Sequence, residues 1–122
     1  MTDTSNEFRV MTSGAFTAAY KSLIPRIESL TGKTVVTVTT SIGTGDISIP
    51  NRLKRGEVAD IVIVADGVLR QFIADGLVLA EHATVIARSL MGFAVRAGAP
   101  DPQIRTADDL KRMLLAAKGI GY

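Results

Sequence analysis

Residues 34–66 read TVVTVTTSIGTGDISIPNRLKRGEVADIVIVAD, and their parsing decides the fold. The segment divides into a strand, a loop with two glycines, a short helix and a second strand. Val35, Val36 and Val38 stand among threonines, and β-branched residues suit a pleated strand. Ile61 to Val64 is wholly apolar, as expected of a strand covered on both faces. Strand, crossover helix and strand make a βαβ unit, whose crossover is right-handed. In an open α/β sheet, ligands bind beyond the carboxyl ends of the strands. Two such ends are marked here, at Thr40 to Thr44 and at Ala65-Asp66.

Working outward from this unit toward the N-terminus, Phe8 to Met11 is expected to be a strand, ending at the polar turn Thr12-Ser13-Gly14. Phe16, Ala19, Tyr20, Leu23, Ile24, Ile27 and Leu30 then fall on one face of a helix. Thr12 or Ser13 is its expected cap, Gly32 its stop, and Pro25 a kink within it. In the short helix after the second strand, Pro50 suits the first turn, Leu53 points inward, and Arg52, Lys54 and Arg55 face water. Toward the C-terminus, Asp66-Gly67 opens a helix with Val68, Leu69, Phe72 and Ile73 inside, closed by Gly76. Alternating strands and helices give an α/β class: an open βαβ sheet flanked by helices.

From Leu77 the pattern changes. Val85 to Ala87 and Leu90 to Arg96 read as extended segments, followed by a rigid loop at Gly98 to Pro102. Thr106 and Asp109 are spaced as a capping box, ahead of a helix with Leu110, Met113, Leu114 and Ala117 on one face. Ile120 to Tyr122 resembles the first residues of a strand, which suggests a truncated chain.

Composition narrows the function. The 122 residues suit one compact domain, and 47% of them are hydrophobic, enough for a core. Net charge is +2, the basic residues are scattered and aromatics make up 5%, which argues against a nucleic-acid surface. Without cysteine there is neither a disulfide framework nor a thiolate metal site. The first ten residues carry no basic cap and no apolar run, so no signal peptide is expected in them. No segment reaches the roughly 20 apolar residues of a membrane span.

Two loops carry the candidate chemistry. A small anion can be held without a full positive charge, by unpaired N–H groups at helix starts, by hydroxyls and by glycine backbone. Ser13, Gly14 and Ala15 form one such loop, and Ser41, Gly43 and Thr44 the other. Asp66, at the third strand end, is included as a ligand-binding candidate. A competing reading makes both loops ordinary βα turns, since caps use the same residue types, and makes Asp66 the N-cap of its helix. Asp46 reads as a surface residue, Asp60 as a turn residue, and Met11, Met91 and Met113 as core fillers. A dinucleotide fingerprint would need a third glycine where Ser48 stands, and the P-loop lysine is missing. His82 is the sole histidine and reads as a surface or interface residue. No catalytic group, metal site or cofactor is expected, and the chain is expected not to be an enzyme.

The chain resembles type II periplasmic solute-binding proteins of ABC importers, in particular their molybdate-binding branch. The resemblance rests on VMTSGAFTAAYKSLIPRIESLTGKTV, on VTTSIGTGDISIPNRLKRGEVADIVIVAD and on ARSLMGFAVRAGAPDPQIRTADDLKRMLLAAKGIGY. It implies the first lobe of a type II periplasmic-binding-protein fold plus the start of the second. Residues 7–84 would be the first α/β lobe, 85–105 the crossover segment and 106–122 the beginning of a truncated second lobe. It also implies a periplasmic protein that captures a small oxyanion in an interlobe cleft, half of which is present, and passes it to a membrane permease. Two departures touch the ligand. Ala15 stands where the branch tends to carry a hydroxyl, and the second loop is longer and carries Asp46. The alternative is the effector-sensing domain of a cytosolic regulator. Truncation would leave apolar surface bare, so a dimer through segment 90–122 is expected.

Overall fold

The computed structural model describes residues 6–121. Its first unit is an α/β lobe with three strands, β1 (Glu7–Thr12), β2 (Thr34–Thr39) and β3 (Ile61–Ile63). All pair in parallel, in the order β2-β1-β3. Parallel neighbours require crossovers. A 3-10 turn (Gly14–Phe16) and helix α1 (Thr17–Thr31) join β1 to β2. Helix α2 (Ile49–Lys54) joins β2 to β3, and α3 (Asp66–Ala74) follows.

Register assigns the helices to faces. Val10 pairs with Thr37, so their side chains share a face. The Tyr20 hydroxyl of α1 lies 2.8 Å from the Thr37 hydroxyl, which places α1 over that face. Met11 points the opposite way and forms the buried core with Ile49 of α2 and Phe72 of α3. Val38, Leu53, Val62 and Val68 pack against these three. The central strand β1 is therefore covered on both faces, whereas β3, expected from its apolar run to be covered on both, is an edge strand with Ile61 exposed and Val62 and Ile63 half-buried.

Several local expectations need correction. Neither Thr12 nor Ser13 caps α1: the 3-10 turn intervenes and Phe16 occupies the N-cap position. Gly32 ends α1 in the left-handed region at φ 67°, and Pro25 lies within it. Arg52 does not face water. It is half-buried and pairs with Glu57 at 2.8 Å, with Arg9 on the same carboxylate at 3.7 Å. Asp60 shapes the entry to β3 by accepting the Arg9 N–H at 2.8 Å while its own N–H returns to the Arg9 carbonyl. Met11 is fully buried, but Met91 is fully exposed and fills no core.

The chain divides after Ser89 into a second unit. There α4 (Ala107–Ala116) carries the expected capping box, with the Asp109 N–H donating to the Thr106 hydroxyl and the Asp109 carboxylate accepting the Thr106 N–H. Val85–Ala87 and Leu90–Arg96 form no strand. β-Branched and apolar residues favour extension, but a strand needs a partner for its backbone groups, and none of the described residues pairs with these segments. Ile120 and Gly121 are irregular, and Tyr122 lies outside the described residues.

Candidate functional site

The β2-β1-β3 order makes a switch point. It lies between β1 and β3: the connection leaving β1 runs to β2 on one side, and the connection leaving β2 crosses past β1 to reach β3 on the other. Ligand crevices of open α/β sheets form where the order reverses, beyond the carboxyl ends. Met11 stands opposite Thr39, and Thr12 opposite Ile63. The chain therefore leaves the three strands side by side, through Ser13, Thr40 and Val64.

The first loop is tied across the sheet. Ser13 is buried, and its N–H donates to the Ile63 carbonyl at 3.0 Å. Gly14 follows at φ +74°, a region that side chains disfavour, and Gly14 and Ala15 are both exposed. The Ser13 hydroxyl makes no capping bond.

The second loop is anchored from within. The Thr39 hydroxyl donates to the Ile47 carbonyl at 2.7 Å and accepts the Ser41 N–H at 3.2 Å. The Ile49 N–H returns to the Ser41 carbonyl at 2.8 Å, and the Ser48 N–H to the Gly45 carbonyl at 2.9 Å. Ser41 is half-buried, while Gly43 and Thr44 are exposed. A register shift between Val10 and Met11 leaves Val38 as an extra residue on β2, one position before Thr39. Such bulges re-aim the chain that leaves the sheet.

Asp66 behaves differently. Ala65 is the N-cap and Asp66 the first helical residue, which corrects the cap reading. Its carboxylate is exposed and pairs with Arg70 one turn on, at 2.9 Å. Register thus brings Ser13–Ala15 and Ser41–Thr44 to adjacent strand ends, while the Asp66 side chain is engaged on its own helix.

Sequence reading missed three residues at this edge. Thr12 and Ser48 are completely buried, and neither hydroxyl has a hydrogen-bond partner among the described residues. Orphaned buried polar groups are uncommon and costly, and they border both loops. The third is Asn51, half-buried on α2, whose side-chain amide donates to the Thr44 and Gly45 carbonyls. Ser48 lies in the run ISIPN, before Pro50, where a sequence reader sees only a helix start.

A separate cleft of about 550 Å³ runs along β3, lined by Leu53, Val62, Val64, Leu77 and Val78, with Asp60 and His82 among its few polar groups. It contains none of the candidate residues. The Asp60 carboxylate is already engaged by the Arg9 N–H, and the lining is otherwise suited to apolar groups. Among the described residues no cluster of three or more His, Asp or Glu could hold a metal ion.

A family model described as bacterial extracellular solute-binding protein matches residues 8–121. The chain belongs to this family. Within the match lie both candidate loops, the three strands apart from Glu7, and the four α-helices of the described residues. The chain is also 33% identical over 114 residues to aconitate isomerase from Pseudomonas sp. That alignment covers 93% of this chain and 44% of the relative, so the chain spans less than half of that protein's length. No solved structure matches. The relative overturns the expectation that the chain is not an enzyme: a protein similar to it along nearly its whole length is an isomerase. The solute-binding resemblance holds at the level of the family, whose description names neither molybdate nor any other ligand.

Proposed function

We propose that this lobe captures a small organic anion of the polycarboxylate class at the carboxyl edge of β2-β1-β3. The observation that carries the reading is the parallel 2-1-3 order, which sends two small polar loops out of the adjacent ends of β1 and β2, the first of them bordering the switch point between β1 and β3. Ser13, Gly14, Ala15, Ser41, Gly43 and Thr44 form the ligand edge, with Asp66 at its margin. The polycarboxylate class is supported by the aconitate isomerase relative, since aconitate is a tricarboxylate. Capture at this edge is the first step for a carrier and for an isomerase alike. In a carrier, residues 7–84 act as the first lobe, 85–105 lead out of it and 106–122 open the second. The protein then works in the periplasm and delivers its anion to a membrane permease.

A second reading, a molybdate-like oxyanion, is favoured by one observation. The candidate loops offer hydroxyls and backbone N–H groups and no cationic side chain. Neutral donors of this kind suit a compact tetrahedral anion.

Native mass spectrometry of the chain with cis-aconitate, trans-aconitate, citrate, molybdate, tungstate, sulfate and phosphate separates the two. A single adduct with the tricarboxylates and none with sulfate is expected. Adducts with molybdate and tungstate alone would replace the first reading by the second, and no adduct with any anion would sink both. Proton NMR of the same mixtures follows interconversion of cis- and trans-aconitate.

A further inference from the structure

The loop after β2 is gripped from α2 by two side chains. Asn51 donates its side-chain amide to the Thr44 carbonyl at 2.9 Å and to the Gly45 carbonyl at 3.2 Å. Arg55 donates a guanidinium N–H to the Asp46 carbonyl at 2.7 Å. Three successive carbonyls are thus drawn toward α2. The described peptide bonds here are trans, and across a planar trans peptide the N–H points opposite to the C=O. The N–H groups of Gly45, Asp46 and Ile47 are therefore turned away from α2. Among the described residues none of these three donates to an acceptor. Arg55 itself takes part in no ion pair among the described residues, and the bond its guanidinium makes is the grip on the loop.

We infer that Asn51 and Arg55 are positioning residues, which hold the Gly45, Asp46 and Ile47 N–H groups outward as the loop's contact with the anion. This rests on the small-anion reading above and sharpens it, because it moves the second loop's main contact from the Ser41 and Thr44 hydroxyls to backbone donors. Backbone donors fixed before binding need no reordering when the anion arrives. They also suit several anion shapes, since N–H groups impose less geometry than a forked guanidinium.

The test compares the native chain with Asn51→Asp and Arg55→Ala by amide NMR, using trans-aconitate and molybdate as probes. Asn51→Asp keeps the side-chain shape but sets carboxylate oxygen against two carbonyls. Without anion, the heteronuclear NOE of Gly45, Asp46 and Ile47 should fall in both variants, while the melting temperature and the Ser13–Ala15 amides stay near native. Affinity for the anion that binds the native chain should drop about tenfold, as for one lost charge-assisted hydrogen bond. Lowering the pH until the new carboxyl is protonated, so that it can donate again, should restore loop order in Asn51→Asp and leave Arg55→Ala unchanged. Unchanged loop order in Asn51→Asp would overturn the inference, as would a loosened loop that binds anion with native affinity. In those two cases the small-anion reading still stands. If neither probe shifts any amide of the native chain, the inference falls together with that reading.

Discussion

Thr106 and Asp109 show how much two side chains can fix. The Thr106 side chain, then the Arg105 N–H, hold the Asp109 carboxyl below its ordinary value of 3.8. A carboxyl lowered in the folded chain contributes stability above the unfolded value, and that contribution is lost as pH falls through the folded one. Helix α4 should therefore keep its first turn through mild acid and fray only below the ordinary Asp range. Carboxyl-carbon NMR should show Asp109 titrating below 3.8 in the native chain, with the midpoint rising in Thr106→Ala. An identical midpoint in both would show that the box does not hold the carboxyl. This feature was legible in the sequence because a capping box is local, with both partners three residues apart. Asn51 and Arg52 were not legible. Their partners are a loop backbone and the carboxylate of Glu57, and only the folded chain brings these together. A charge run on a short helix looks the same whether or not one of its members is half-buried.

Among the elements, α3 and α1 carry the sharpest expectations. Phe72 is 4% exposed and is the one fully buried side chain of α3. It closes a core whose other buried members are Met11 and Ile49. Phe72→Ala should cost about 3–5 kcal/mol. That is a large share of what a domain of this size has, at roughly 0.05–0.15 kcal/mol per residue. Urea denaturation should find the variant folded with its midpoint lowered in proportion, and a loss below about 1 kcal/mol would mean that the core lies elsewhere. In α1, Pro25 is exposed and removes one helix hydrogen bond. Pro25→Ala should stabilise the chain by about 1–2 kcal/mol, the helix gain less the entropy restored to the unfolded state. A loss of stability would show that the proline is needed for packing on the sheet. The helices and the three strands were readable from periodicity and β-branched runs. The two segments after Thr84, read as extended, pair with none of the described residues, because strand propensity measures fit to a sheet and supplies no partner.

For the molecule as a whole, apolar exposure governs behaviour. Leu79, Val85, Leu90 and Met91 are 65%, 79%, 91% and 100% exposed, and β3 is an edge strand. Exposed apolar runs and open edges favour association. Sedimentation velocity should show a dimer growing with concentration, through segment 90–122. A monomer across the whole accessible range would count against it. The edge that holds the candidate loops was legible as a consequence of parallel strands, and their small polar residues pointed to it. Which groups would face an anion was not, since that depends on Thr39, Asn51 and Arg55 fixing a loop whose own residues, Ser41 to Asp46, state no shape.

The central claim is a place, the carboxyl edge of β2-β1-β3, and mapping of amide chemical shifts reads it directly. The chain is titrated with trans-aconitate, and with molybdate in parallel, at constant pH and ionic strength. The account predicts saturable shifts concentrated at Ser13 to Ala15 and Ser41 to Ile47, with smaller ones near Asp66. Shifts confined to the β3 cleft around Leu77, Val78 and His82, or to residues beyond Ser89, would contradict it.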